Sequence, residues 1–325
     1  MNSKVGAIQI GLIIAMLSGC SASALKSEPE QVPSIDKDVV GLVLSGGAAK
    51  GAYEVGVWKA MKEAGIAEKV VAISGTSVGA LNAAIFASEP DLRKIESVWL
   101  NDLLGLLKPN NAWVEDVKKK IARGMSVSDA VLGGPKRRFD TGKPIQGAVD
   151  PCVLSNIIVR CLPRVWAKSS PAVFSTSCRI DKDGWPCAKS YWLNNESPER
   201  RVSLLRASSA IPYFFSSVNV DGEEHVDGYL KMNTPIKPLV QQFPDVKTIY
   251  VVYLDVEEDI RKSGDETKYY SGKRIVEIFP SKDLNGWWGN RMIDFSEKNS
   301  KKLMKLGYED AKKILAERHL IESQP

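Results

Sequence analysis

The chain has 325 residues, 44% hydrophobic and 26% charged, enough for one full core of single-domain hydrolase size; a disordered tail and a mini-protein are both excluded. Lysine and arginine number 44 against 39 acidic residues, a net charge of +5, which is too mild an excess for the basic stripe of a nucleic-acid binder. With His225 and His319 as its two histidines, the chain has no material for a histidine-rich metal centre and few candidates for an imidazole base.

Lys4 leads an apolar run over 5–17. That run is short for a bilayer span and suits the hydrophobic stretch of an export signal. It ends in Leu17-Ser18-Gly19-Cys20, which resembles a bacterial lipobox. Residues 1–19 are then a signal peptide, the Cys20 thiol receives a diacylglyceryl group, and 20–38 form a polar tether to a domain over 39–325. Several acyl chains at Cys20 would anchor the protein stably, since each buried methylene contributes about 0.8 kcal/mol. The rival reading uses Ala22-Ser23-Ala24 as an ordinary cleavage site and releases a soluble exported protein. Ser21 replaces the aspartate that, by resemblance to such lipoproteins, retains them at the inner membrane, so the expected address is the cell envelope at the outer membrane.

Export would place Cys152, Cys161, Cys178 and Cys187 in an oxidising compartment. The segment 178–187 reads as two strands around the Asp183-Gly184 turn, and a disulfide between Cys178 and Cys187 is the expected bridge. Cys152 and Cys161 sit nine apart on a predicted helix, about 13 Å of rise, too far for a mutual bond.

After the tether, 39–44 reads as an apolar strand, 46–51 as a glycine loop, and 52–64 as a helix with Tyr53, Val57 and Met61 four apart, stopped by Gly65. A second buried strand follows at 69–74, a tight turn at 75–79, and a small-residue helix at 80–88 ahead of Pro90. The βαβα order predicts an α/β fold with a parallel sheet. Further helices are expected over 91–103, 114–123 and 152–162, a mobile Gly/Pro/basic loop over 132–144, and strands over 172–178, 190–193 and 248–254. A long terminal helix carries Met304, Tyr308, Ala311 and Leu315 on one face. There is no internal repeat and no sign of a second domain.

The strongest chemical signal is Gly75-Thr76-Ser77-Val78-Gly79. Its position between a predicted strand and a predicted helix is what a nucleophile elbow requires. The glycines permit the tight turn that projects Ser77, and the helix amino terminus behind it favours an oxyanion. Ser45-Gly46-Gly47-Ala48-Ala49-Lys50-Gly51 follows the first strand, so its backbone amides reach the same sheet edge. Neither G-x-x-x-x-G-K-[ST] nor G-x-G-x-x-G is spelled there, which argues against a nucleotide. For the base, His319 lies in a charged terminal segment, while His225 and Asp227 alternate onto one strand face. A carboxylate in a dry site can itself take a serine proton.

The segments 44–52 and 75–83, then Ala207-Ser208-Ser209-Ala210-Ile211-Pro212, then Asp227-Gly228 with Asn233 and Pro235, resemble the patatin-like phospholipase family in order and spacing, over about 39–254. The resemblance implies a three-layer α/β/α fold with a mostly parallel sheet, and hydrolysis of lipid acyl esters through an acyl-enzyme. It implies Ser77 as nucleophile, Asp227 as its base, the amides of Gly46, Gly47 and Ala48 as oxyanion hole, and Lys50 at the family's basic position. No metal or other cofactor is expected. The substrate would be membrane phospholipid or another acyl-ester lipid. Two positions depart from the family pattern: Ala48 stands where a third glycine is common, and Tyr229 where a small residue is usual. The first keeps its amide; the second bears on substrate size.

Trp287-Trp288 reads as partly buried packing, and Lys118-Lys119-Lys120 and Lys136-Arg137-Arg138 as solvated charge. Two other readings stay open: a Ser/His/Asp esterase using Ser77, Asp227 and His319 in chain order, and a catalytically silent lipid-binding or envelope-scaffolding lipoprotein.

Overall fold

Five uncharged residues, Val40–Leu44, form β1, which is buried along its whole length. A strand can be so only when paired on both edges and covered on both faces. The computed structural model describes residues 39–104, 115, 119–120, 122–124, 139, 144–145, 147, 149–263, 270, 272–285 and 293–322. In it, β1 pairs in parallel with β2 (Val70–Thr76) on one edge and with β7 (Thr248–Val252) on the other. Then β3 (Ala172–Ile180) extends the parallel set beyond β2, and β8 (Arg274–Ile278) extends it beyond β7. Antiparallel strands β4 (Pro186–Trp192), β5 (Val218–Val220) and β6 (Glu223–Asp227) complete an eight-stranded sheet.

Strand alternation sends Leu42 and Leu44 into one apolar layer and Val43 into another. The first layer is built with α1 (Ala52–Glu63), α2 (Val78–Ser88), α3 (Leu92–Ser97), α4 (Pro151–Cys161), α5 (Pro198–Ser208) and α8 (Glu297–Glu322). The second uses Ile236 and Leu239 of α6 (Ile236–Gln242) and Ile260 of α7 (Glu257–Ser263). The result is the expected three-layer α/β/α architecture with a mostly parallel sheet.

The helix expected over 91–103 ends early. After α3 the chain takes a wider π turn, Val98–Asp102, which buries Trp99 completely and lets its indole N–H donate to Asn82 Oδ1 at 2.9 Å. Near the carboxyl end, α8 crosses α1 at glycines. A Cβ on Gly56 would lie 1.9 Å from the Met304 carbonyl oxygen, and one on Gly307 would lie 2.0 Å from that of Tyr53.

The edges of β3 position the site. On one edge β4 runs unbroken along Phe174 to Ile180. The other edge is shared: β2 occupies it as far as Thr176, and β6 occupies it from Ser177 onward, running the opposite way. The carboxyl ends of β2 and β6 therefore meet head-on in one slot.

The expected Cys178–Cys187 bridge does not form. The β3–β4 hairpin exists, but its register pairs Cys178 with Ala188 and Cys187 with Arg179. Neighbouring positions face opposite sides of a sheet, so the two sulfurs point apart, and both are free thiols, as are Cys152 and Cys161. Residues 1–38 with Cys20, Lys118, Lys136-Arg137-Arg138, Trp287-Trp288 and most of 114–123 and 132–144 lie outside the described residues, as does the side chain of His319.

Candidate active site

The G-x-S-x-G turn is a strained strand-to-helix elbow. Ser77 has φ 55° and ψ −125° between the end of β2 and the start of α2, a left-handed conformation that a side-chain-bearing residue holds only when its surroundings enforce it. They do so through close packing: a Cβ on Gly75 would lie 2.3 Å from the Gly79 carbonyl oxygen, and one on Gly79 would lie 2.5 Å from that of Leu44. The Ser77 N–H donates to Ser208 Oγ at 2.8 Å, and that hydroxyl donates onward to the Thr176 carbonyl at 2.6 Å. Thr76 Oγ1 donates to the Met232 carbonyl at 2.7 Å. The elbow is thus tied to β3, to α5 and to the segment after β6.

The strand slot puts Asp227 in front of Ser77. Ser77 Oγ donates to Asp227 Oδ2 at 2.6 Å, and the Tyr229 N–H donates to Oδ1 at 2.8 Å. Both residues are buried, Ser77 4% exposed and Asp227 1%. Burial pushes the Asp227 carboxyl up to about 7, against the two hydrogen bonds that favour its ionised form. A carboxylate of that basicity is poised to take a hydroxyl proton near neutral pH.

His225 is on the same strand but does not reach the pair. Its ring is bonded at Nδ1 to Ser177 Oγ at 2.9 Å and at Nε2 to Tyr191 Oη at 3.2 Å. Burial holds its pKa down to about 4, which keeps the ring neutral.

The glycine loop lies against the elbow, where a Cβ on Gly46 would come within 3.1 Å of Ser77 Cβ. It closes in a 3-10 turn, Ala48–Gly51, with Ala48 at φ 50°, so alanine fills a left-handed position that glycine takes without strain. Of the expected trio of donors, Gly46 has a partner within the protein. Its N–H is engaged by Asn233, at 2.9 Å from Oδ1 and 3.2 Å from the backbone oxygen. The amides of Gly47 and Ala48 have no acceptor among the described residues. Ser45 Oγ and Thr234 Oγ1 are 2.9 Å apart. Lys50, 2% exposed, bonds Asp255 Oδ1 at 2.6 Å, so its charge is directed at the end of the sheet.

Behind the loop lies a buried group whose pairing was not read from the sequence. Asn82 Nδ2 donates to Glu54 Oε2 at 2.7 Å and to the Gly51 carbonyl at 3.0 Å, linking α1, the loop and α2, the helix that follows Ser77. Burial raises the Glu54 carboxyl well above the usual range. The signal was a glutamate inside an otherwise apolar helix face, with Tyr53 and Val57 beside it.

A cavity of about 370 Å³, open mouth included, begins at Ser77 and Ala48. Val78, Leu81, Leu154, Ile211, Phe215 and Phe295 contribute to its walls. The arrangement holds a hydroxyl against a basic carboxylate at the head of an apolar-walled cleft.

Lysophospholipase nte1 of Aspergillus terreus is 53% identical over 53 residues, 16% of this chain and 3% of that protein. The patatin-like phospholipase domain-containing protein ZK370.4 of Caenorhabditis elegans is 40% identical over 72 residues, 21% of this chain and 5% of that protein. The chain thus spans a few per cent of the length of these curated relatives. Among solved structures, VipD from Legionella pneumophila superimposes with a TM-score of 0.45 at 17% identity, covering 86% of this chain and 67% of that one. Human GIVD cytosolic phospholipase A2 gives 0.45 at 9% identity, over 86% and 59%. The family model described as patatin-like phospholipase matches residues 42–240, more than half of the sequence. The chain belongs to the patatin-like phospholipase family.

Proposed function

We propose that this protein is a lipid acyl hydrolase of the phospholipase A or lysophospholipase type, working through Ser77 and Asp227 and an acyl-enzyme. The observation that carries this reading is the 2.6 Å bond from Ser77 Oγ to Asp227 Oδ2 at the head of an apolar cavity. Asp227 accepts the Ser77 proton as Oγ attacks the ester carbonyl carbon. The carbonyl oxygen becomes an oxyanion beside the Gly47 and Ala48 amides. The alcohol departs with the proton from Asp227, and water then cleaves the acyl-enzyme with the same roles reversed. The acyl chain occupies the cavity, where removal of apolar surface from water favours binding.

The test is fatty-acid release from mixed-acyl phospholipid by the wild type, Ser77→Ala, Asp227→Asn and His225→Gln proteins. Loss of about 10³-fold or more is expected for the first two variants, the scale of removing a nucleophile or its base. His225→Gln should retain turnover; its loss with the fold intact would refute a dyad without imidazole. The identity of the released acid gives the positional preference. Anchoring through Cys20 belongs to the same proposal: cells fed a labelled fatty acid should label the wild type and not Cys20→Ser, and an unlabelled wild type would refute the anchor.

A further inference from the structure

Two adjacent serines at the end of α5 turn different ways. Ser208 uses its hydroxyl twice, accepting from the Ser77 N–H and donating to Thr176. Ser209, 6% exposed, contributes to the wall of the cavity at Ser77, and its Oγ has no hydrogen-bond partner among the described residues. A buried hydroxyl without a partner is costly, and such groups in native structures call for an explanation. Apart from Ser77, every other side chain that the described residues contribute to this cavity is apolar.

We propose that Ser209 Oγ donates a hydrogen bond to the alkoxy oxygen of the scissile ester, the oxygen that leaves with the alcohol; this deepens the dyad reading and rests on it. The other donors near Ser77 are already engaged. The Gly46 N–H goes to Asn233, the Ser208 hydroxyl to Thr176, and the Gly47 and Ala48 amides face the carbonyl oxygen in the proposed mechanism. Asp227 brings one proton, taken from Ser77. When the tetrahedral intermediate collapses, the bond from the acyl carbon to the alkoxy oxygen breaks, its electron pair stays on that oxygen, and the Asp227 proton joins it. The alkoxide of a glycerol-type alcohol is strongly basic, so a second hydrogen bond at the same atom stabilises the breaking bond. Ser209 keeps its own proton throughout.

The experiment compares two esters of one fatty acid, glyceryl and p-nitrophenyl, through kcat/KM, which reports the steps up to acylation. Ser209→Ala should lose roughly 10- to 100-fold on the glyceryl ester, the scale of one hydrogen bond to a developing charge. On the nitrophenyl ester, whose leaving group departs with little help, the loss should stay under about threefold. Ser209→Cys, a weaker donor, should recover part of the glyceryl activity. The Tm of Ser209→Ala should equal or exceed that of the wild type, because no native hydrogen bond is lost. An equal loss on both esters, or glyceryl activity untouched in Ser209→Ala, would overturn the assignment. A wild type silent on both esters, or a Ser77→Ala protein as active as wild type, would bring down the dyad reading and this one with it.

Discussion

Asp227 and His225 stand two residues apart on β6, and burial moves them in ways that pH can separate. Asp227 is raised to about 7, so in the proposed role of base it would work only above that value: kcat/KM should climb with pH through about 7 and then level. The stability effect has the opposite trend. A carboxyl whose folded pKa exceeds its unfolded value binds more protons when folded, so its contribution is complete at low pH and is lost as pH rises through about 7. Asp227→Asn removes that loss while keeping the shape. Asp227→Asn should be close to wild type in stability near pH 4 and more stable at pH 9, by a difference on the order of a few kcal/mol, while remaining inactive; a lower melting temperature at pH 9 would contradict a buried charge there. His225, lowered to about 4, binds fewer protons when folded. Its contribution is present above the ordinary histidine value and disappears as pH falls toward 4. Asp227 acts in the opposite sense over the same range in both proteins, so the histidine is read as a difference: between about pH 6.5 and 4 the urea midpoint of the wild type should fall relative to that of His225→Gln.

At the level of elements, the parts of the site set by local chain chemistry were legible in the sequence. The elbow and the glycine loop each need small residues within a few positions, and each follows a strand readable from its apolar run. What escaped was the partnering of distant segments. Strands β5 and β8, three and five residues long, were not read, and β6 was read only as the strand face shared by His225 and Asp227, because Glu223, Glu224 and His225 make no apolar run. The head-on meeting of β2 and β6 is a property of β3's shared edge and has no local signature. The hairpin around Asp183-Gly184 was read correctly, but its register lay one position from the one a disulfide needs. Likewise the engagement of the Gly46 amide depends on Asn233, far along the chain. That contact is a test of how firmly the loop must be held. Asn233→Ala removes one acceptor and leaves the Oδ1 atom's place beside Gly46 empty. We expect kcat to fall about 10-fold with KM little changed, as for a displaced loop whose substrate cavity is intact. The Tm should fall by a few degrees; unchanged kcat would show that the loop keeps its place without Asn233.

Across the whole molecule, the carboxyl-terminal helix supports the site from behind, lying beside the 3-10 turn of the loop as well as along α1. The loop leads directly into α1, and α1 packs along α8 with backbones so close that only glycine fits at the crossing. The same contact is fastened by Tyr53 Oη donating to Asp310 Oδ2 at 3.1 Å and Tyr308 Oη donating to Glu63 Oε2 at 2.6 Å. At the loop end, Lys50 binds Asp255 beyond β7, so we expect a displacement of α1 to reach the loop at Gly47 and Ala48. Gly307→Ala places a methyl 2.0 Å from the Tyr53 carbonyl oxygen and 3.2 Å from its ring, and backbone cannot yield as a flexible side chain does. The helices must separate, at a cost of about 1–3 kcal/mol, whereas Lys313→Ala on the exposed side of the same helix should stay within about 0.5 kcal/mol of wild type. At a temperature where Gly307→Ala is fully folded, its kcat should still be lowered, because the strain runs down α1 into the loop. Wild-type kcat in a measurably destabilised Gly307→Ala would show instead that the loop is held from the β7 side alone, through Lys50 and Asp255.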